Sequence, residues 1–428
     1  MPAFERPIAL TLLDRLREAP RTLIYVAGPR QSGKTTLVLQ TLRRIRRRSD
    51  YFPVDAADTA LPLITPLAEL RSGNSSPPVE VGLPPIGLRD ARWLVRLWEQ
   101  ARLKAKASDR GFVLVLDEIQ KIANWSETVK GLWDADRIQD LPLHVVLLGS
   151  APLRIQKGLS ESLAGRFEEL SVRHWSFGEM VAAFDFDLDQ YVYFGGYPGS
   201  VPYVKDEARW HEYIHRTLIE PTIERDVLAL ERVAKPILFK QLFELASAYS
   251  GQIFSYNKML GQLDDAGNTT TLARYLDLLS KVGLIAGLPN YSRNKYRRRA
   301  SSPKLNVLNT ALMSAHADYT FEQARNDRTF WGRIVESAVG AHLINSGNFL
   351  HRVHYWRDSK GNEVDFVLTY GREAVAFEVK SGNQSGRGRG LRAFTQRFPE
   401  AKTHVVGHTG IPISEFLLTP VVEWFERP

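Results

Sequence analysis

The chain has 428 residues and no cysteine. That excludes a disulfide framework, a thiolate zinc site and a cysteine nucleophile, and it agrees with a cytoplasmic location. No run approaches the roughly 18 apolar residues of a membrane span, so no membrane partner is expected. The opening residues Met1-Pro-Ala-Phe-Glu-Arg-Pro7 lack the charged-then-apolar plan of a secretion signal. No internal repeat marks a solenoid. Acid is in the minority: 48 Asp and Glu against 56 Lys and Arg leave a net charge of +8. A hydrophobic share of 44% with 24% charged residues describes a globular chain rather than a disordered one. Its length implies about two to four domains.

What is present is a phosphate loop. Gly28, Pro29, Arg30, Gln31, Ser32, Gly33, Lys34, Thr35 and Thr36 complete the Walker A pattern G-x-x-x-x-G-K-[ST]. The apolar run Leu23 to Ala27 precedes it, and a helical spacing of apolar residues follows. Glycine lets the backbone curl so that its N–H groups and the helix N-terminus face an anion. Lys34 then reaches the β- and γ-phosphates of ATP, and the Thr35 hydroxyl holds Mg²⁺. Phe112-Val-Leu-Val-Leu-Asp117-Glu118 supplies the second half of the site. Asp117 binds the metal directly or through water, and Glu118 orients the attacking water, so hydrolysis is favoured over binding alone. Ser150, at the end of a third apolar strand, stands where the equivalent strand of AAA-type ATPases, which this site resembles, carries a polar sensor of the γ-phosphate. Arg166 and Arg225 are candidate sensors or arginine fingers, and structural roles are open for both.

The positive charge is grouped. Arg43, Arg44, Arg46, Arg47 and Arg48 follow the P-loop helix. Arg293, Lys295, Arg297, Arg298 and Arg299 lead to Lys304, and Arg387, Arg389, Arg392 and Arg397 form a third group. Any one of these reads equally well as a solvated face. Three in a chain with a motor motif favour nucleic acid, DNA above all.

Continuous apolar strands alternating with helices predict an α/β domain with a parallel sheet over residues 1–185. A helical linker is expected at 186–234. Helices at 236–246 and 270–281, followed by an apolar strand and an Arg-rich excursion, are what a winged helix looks like, over 235–325. There Thr269, Thr270, Arg274 and Tyr275 are placed at the start and outer face of a recognition helix, with Arg297, Arg298 and Arg299 on phosphates. An interaction module between the flanking domains is the other reading.

Residues 326–428 return to an α/β pattern: a helix at 331–345, then strands at 352–357, 362–369 and 374–380. Asp365 on one strand and Glu378 on the next come close across a hairpin, and Glu378 and Lys380 share a face. Glu336 on the preceding helix adds an acid, and Glu363 is an alternative ligand. Glu336, Asp365 and Glu378 can hold Mg²⁺ while Lys380 positions a phosphodiester. Together they resemble the PD-(D/E)xK nuclease core. Activity is left open, since the domain serves equally as a binding platform or a degenerate remnant.

The ordered set Gly28 to Thr36, Leu116-Asp-Glu-Ile-Gln120, Leu163-Ala-Gly-Arg166, Gly195-Gly-Tyr-Pro198, Glu224-Arg-Asp226, Glu363-Val-Asp365 and Glu378-Val-Lys380 resembles a prokaryotic family. Its members are AAA-like P-loop ATPases with a C-terminal domain of unknown function. The resemblance implies an ATPase core, a winged helix and a nuclease-like C-terminal fold. It also implies homo-oligomers, in which one subunit's Arg completes the next subunit's pocket. Ala151 stands where similar sequences often carry a second small hydroxyl residue, and the Gly386-Arg-Gly-Arg-Gly390 loop is unusual. Two functions follow: an ATP-driven DNA-processing protein, acting on branched or broken DNA, or a nucleotide-gated regulatory or defence-related switch.

Overall fold

Apolar strands that alternate their faces build the first unit. The computed structural model describes residues 4–54, 79–81 (backbone only), 89–149, 162–228, 233–265, 267–292, 301–380 and 388–427. The chain divides into two compact units, Met1–Val172 and Arg173–Pro428.

In the first unit β1 (Leu23–Ala27), β2 (Arg48–Pro53), β3 (Val79–Val81), β4 (Phe112–Asp117), β5 (Leu143–Leu148) and β6 (Phe167–Ser171) form one sheet. Its order is β3-β2-β4-β5-β1-β6, and every pairing is parallel. β4 and β5 are buried along their whole length, as central strands covered on both faces must be. Ile24 and Val26 pack with Leu12, Leu16, Leu37 and Leu42 of helices Ile8–Arg17 and Lys34–Arg44 on one face. Leu23 and Tyr25, one residue out of phase, pack with Trp93, Trp98 and Trp133 of helices Ala91–Lys106 and Trp125–Ile138 on the other. β3 and β6 have no counterpart in the sequence reading. β6 carries Glu168 and Glu169 and lies at the sheet edge, where polar residues are tolerated and the apolar signal is lost.

The second unit begins with short helices and reaches three that run Pro236–Ala248, Tyr256–Leu260 and Thr269–Lys281. An antiparallel hairpin follows, β7 (Ile285–Leu288) with β8 (Lys304–Val307), and Ile253 adds a bridge to Lys304. Beyond it come helix Arg328–Ser346, β9 (His351–Arg357), β10 (Glu363–Tyr370), β11 (Glu373–Lys380), helix Arg389–Arg397 and β12 (Lys402–Gly407). β9, β10 and β11 are antiparallel neighbours, and β12 joins β11 in parallel. Gly340 lets the long helix press onto the sheet. A Cβ there would stand 2.2 Å from Asn306 Oδ1 and 2.7 Å from the Phe366 ring. Among the described residues no helix is long and apolar enough to cross a membrane.

Candidate functional site

Two centres of polar chemistry emerge, one in each unit. In the first, β1 ends at Ala27 and the next helix starts at Lys34, with residues 28–33 curling between them. Gly33 caps that helix at φ +84°, in the left-handed region that glycine adopts freely. Gly28 has another reason to be glycine, because a Cβ there would lie 2.1 Å from the Val172 carbonyl oxygen. β5 lies between β1 and β4, and the loop and the Asp117-Glu118 pair both sit at the carboxyl ends of parallel strands. Open α/β sheets bind ligands there.

The Thr35 hydroxyl donates to Asp117 Oδ2 at 2.8 Å, although 82 positions separate them. The Tyr51 phenol donates to the same oxygen. Asp117 is buried, and burial pushes its carboxyl up from the usual carboxylate range. The hydrogen bonds from Tyr51 and Thr35 and the charge of Lys34 work against that rise, while Glu118 adds to it. The pair of oxygens thus has the donor chemistry of a hard-cation site. Lys34 Nζ donates to Gly28 O at 3.0 Å and Pro29 O at 2.9 Å, so its ammonium lies over the loop that phosphates would occupy. Glu118 holds φ +56°, and its carboxylate accepts from the Gln120 amide. Pro29, Arg30 and Gln31 are half-buried in the loop, Ser32 is buried, and Thr36 is exposed in the helix's first turn.

Arg6 escaped the sequence reading. It is 7% exposed and donates from Nη1 to the Ser32 carbonyl at 2.8 Å, so the first helix's approach braces the loop from below. No motif announces it. Arg166 departs from the expected place. β6 pairs Phe167 with Leu23 and Ser171 with Ala27, so Arg166 stands at the end of the sheet opposite Gly28. There it makes two hydrogen bonds to Asp134, at 2.7 and 3.0 Å. The reason is topological: a residue preceding a parallel strand lies away from that strand's carboxyl end. Ser150, Ala151, Gly386, Arg387 and the arginines at 293–299 lie outside the described residues, as does the side chain of Arg225.

The second centre brings together some of the expected acids. A register shift between Val364 and Val367 in the β9–β10 pairing breaks the alternation at Asp365. Asp365 Oδ2 accepts the Val379 N–H at 2.8 Å. Its Oδ1 lies 3.4 Å from the ammonium of Lys304, which is 2.5 Å from Glu336 Oε1. Burial alone pulls the Lys304 ammonium down, but Glu336, Asp365 and Glu363 outweigh it and hold the proton on. Burial, with Asp365 beside it, pushes the Glu336 carboxyl up.

Glu378 has Oε1 3.6 Å from Lys380 Nζ and Gly388 packed against its carboxylate. Burial raises its carboxyl, Lys380 opposes that, and Asp365 lies near enough for its charge to push the carboxyl up as well. Asp365 thus neighbours both other acids, Glu336 across the Lys304 ammonium and Glu378 through its charge. Among the described residues no group of three or more His, Asp or Glu side chains is placed to hold a metal ion. Lys304, at the end of the second basic group, sits between Glu336 and Asp365.

Tyr275 is also corrected. It is 2% exposed and its hydroxyl accepts the Lys235 N–H, so it belongs to the core and cannot read a base edge. Thr270 and Arg274 are exposed on that helix and Thr269 is half-buried.

Residues 86–181 match the model of an AAA domain, beginning after the P-loop. Residues 185–323 match a domain of unknown function (DUF8612), and residues 331–417 match another (DUF4143). The uncharacterized proteins Rv2008c of Mycobacterium tuberculosis and Mb2031c of Mycobacterium bovis are each 24% identical over 420 residues, covering 96% of this chain and 82% of theirs. The Walker-type ATPase PABY2304 of Pyrococcus abyssi is similar in structure at a TM-score of 0.42 and 15% identity, covering 72% of this chain and 94% of that one. With the P-loop and the strand of Asp117, the first unit is an AAA-like P-loop domain, and the C-terminal region is a DUF4143 domain.

Proposed function

We propose that the chain hydrolyses ATP with Mg²⁺ in its first unit and couples that turnover to work on DNA as a cytoplasmic homo-oligomer. The hydrogen bond between Thr35 and Asp117 carries the first half of this reading, because it joins the Walker A and Walker B residues at one point. Lys34 and the loop N–H groups take the phosphates, Thr35 and Asp117 the metal, and Glu118 the attacking water. Arg166, at the far end of its own sheet, would serve as a finger only in trans, on a neighbouring subunit's nucleotide.

The DNA half rests on the grouped basic residues, on the winged-helix reading of the helices and hairpin at 236–307, and on the nuclease-like order of the C-terminal elements. Thr270 and Arg274 are the exposed side chains that would meet DNA. ATP turnover measured with single-stranded, duplex, forked and four-way DNA tests it. Turnover should rise with one of these and be lost in Lys34→Ala and Glu118→Gln. No stimulation by any DNA would overturn the coupling, and turnover that survives both substitutions would overturn the site. The switch reading, with a nuclease-like domain that does not cut, is favoured by the Lys304 ammonium among the C-terminal acids.

A further inference from the structure

Lys304 is 0% exposed, and a buried ammonium is tolerated only where charge and hydrogen bonds replace water. It has such surroundings on every side. Glu336 Oε1 is at 2.5 Å, Asp365 Oδ1 at 3.4 Å and the Asp365 carbonyl at 3.2 Å. The Phe366 ring closes the remaining side at 4.8 Å. Three elements meet here. β8 brings the ammonium, the long helix Arg328–Ser346 brings Glu336, and the irregular stretch of β10 brings Asp365. The close packing at Gly340 brings that helix against Asn306 of the same strand.

The nuclease-like reading would place a divalent cation between the helix acid and the strand acid. That space holds a covalently attached cation. We propose that the Lys304 ammonium is the resident cation of the C-terminal acidic centre, and that the centre takes no divalent metal while Lys304 is in place. This rests on the nuclease-like reading of the domain and is independent of ATP turnover. The acids keep their geometry without recruiting an ion. The domain is thereby left as a platform that binds without hydrolysing. Removing the ammonium while keeping the apolar stem should uncover the site, since Met ends one atom short of the Nζ position and carries no charge.

The test is a Mn²⁺ titration of the full chain without nucleotide, read by electron paramagnetic resonance. Each protein is repeated in an Asp117→Asn background to subtract the P-loop. The unaltered chain and Asp365→Asn should bind Mn²⁺ alike. Lys304→Met should gain one site at least tenfold tighter, lost again in Lys304→Met/Asp365→Asn. Mn²⁺ binding by the unaltered chain that Asp365→Asn abolishes would overturn the proposal. So would a folded Lys304→Met chain that gains nothing. If Lys304→Met does not fold, the comparison of the unaltered chain with Asp365→Asn decides. ATP turnover, measured separately on the proteins that keep Asp117, reports on the first unit and does not move with this outcome.

Discussion

Replacing Gly28 by Ala should destabilise the first unit before any nucleotide is present. The added Cβ would lie 2.1 Å from the Val172 carbonyl oxygen, where real contacts stay above 3.0 Å, so backbone must retreat by about 0.9 Å. Val172 is held in place by its own N–H, which donates to Ala27 O at 2.6 Å. Overpacking of this kind costs about 1–3 kcal/mol, and weakening that hydrogen bond adds about 1 kcal/mol. A loss of roughly 2–4 kcal/mol lowers the melting temperature of a unit this size by roughly 5–15 °C. Differential scanning calorimetry of the nucleotide-free chain reads it directly. Gly131→Ala, in the helix Trp125–Ile138 with nothing within 4 Å of the new methyl, is the control, and it should leave the unit slightly more stable. An unchanged apo melting temperature in Gly28→Ala, with only ATP affinity reduced, would refute the packing argument and leave phosphate access as the sole reason for the glycine.

Two further outcomes are expected. Tyr51→Phe removes a hydrogen bond that holds the Asp117 carboxyl down against burial, so the acid limb of the ATPase pH profile should move to higher pH, as steady-state assays between pH 5 and 8 would record. His342, buried with Nε2 3.0 Å from Thr419 O, has its pKa pushed down to about 4 by burial. The unfolded ring protonates first as pH falls, so this stabilisation is present above pH 6.5 and is lost as pH falls toward 4, by about 3 kcal/mol in all. His316 is pushed down to about 4 as well, so His342→Gln should remove only part of the pH dependence in urea unfolding of the second unit at pH 7 and pH 4.5.

The individual elements were legible in both units because their signals are local. The run Phe112 to Asp117 is apolar at every position before the acid, and the observed β4 begins and ends on those residues. The helix predicted at 331–345 runs Arg328–Ser346, and the strands predicted at 352–357, 362–369 and 374–380 are β9, β10 and β11 within a residue at each end. What sequence spacing does not carry is the meeting of distant segments. Lys304 follows an Arg-rich stretch and reads as surface charge, yet strand pairing with β7 and packing under Gly340 bury it completely. Tyr275 misled for the opposite reason, since the helical period that exposes Arg274 turns its neighbour inward. Arg6 and Arg166 show the same limit, because their partners Ser32 and Asp134 are chosen by the sheet's topology.

The bond from Arg6 to Ser32 turns the segment ahead of the first helix into a handle on the nucleotide loop. Phe4 is tied in as well, its carbonyl accepting from Gln40 of the P-loop helix at 3.0 Å. A partner that grips this segment, or a protease that cuts within it, would act on the P-loop from outside the pocket. A fluorophore attached there would report nucleotide occupancy without touching a single Walker residue.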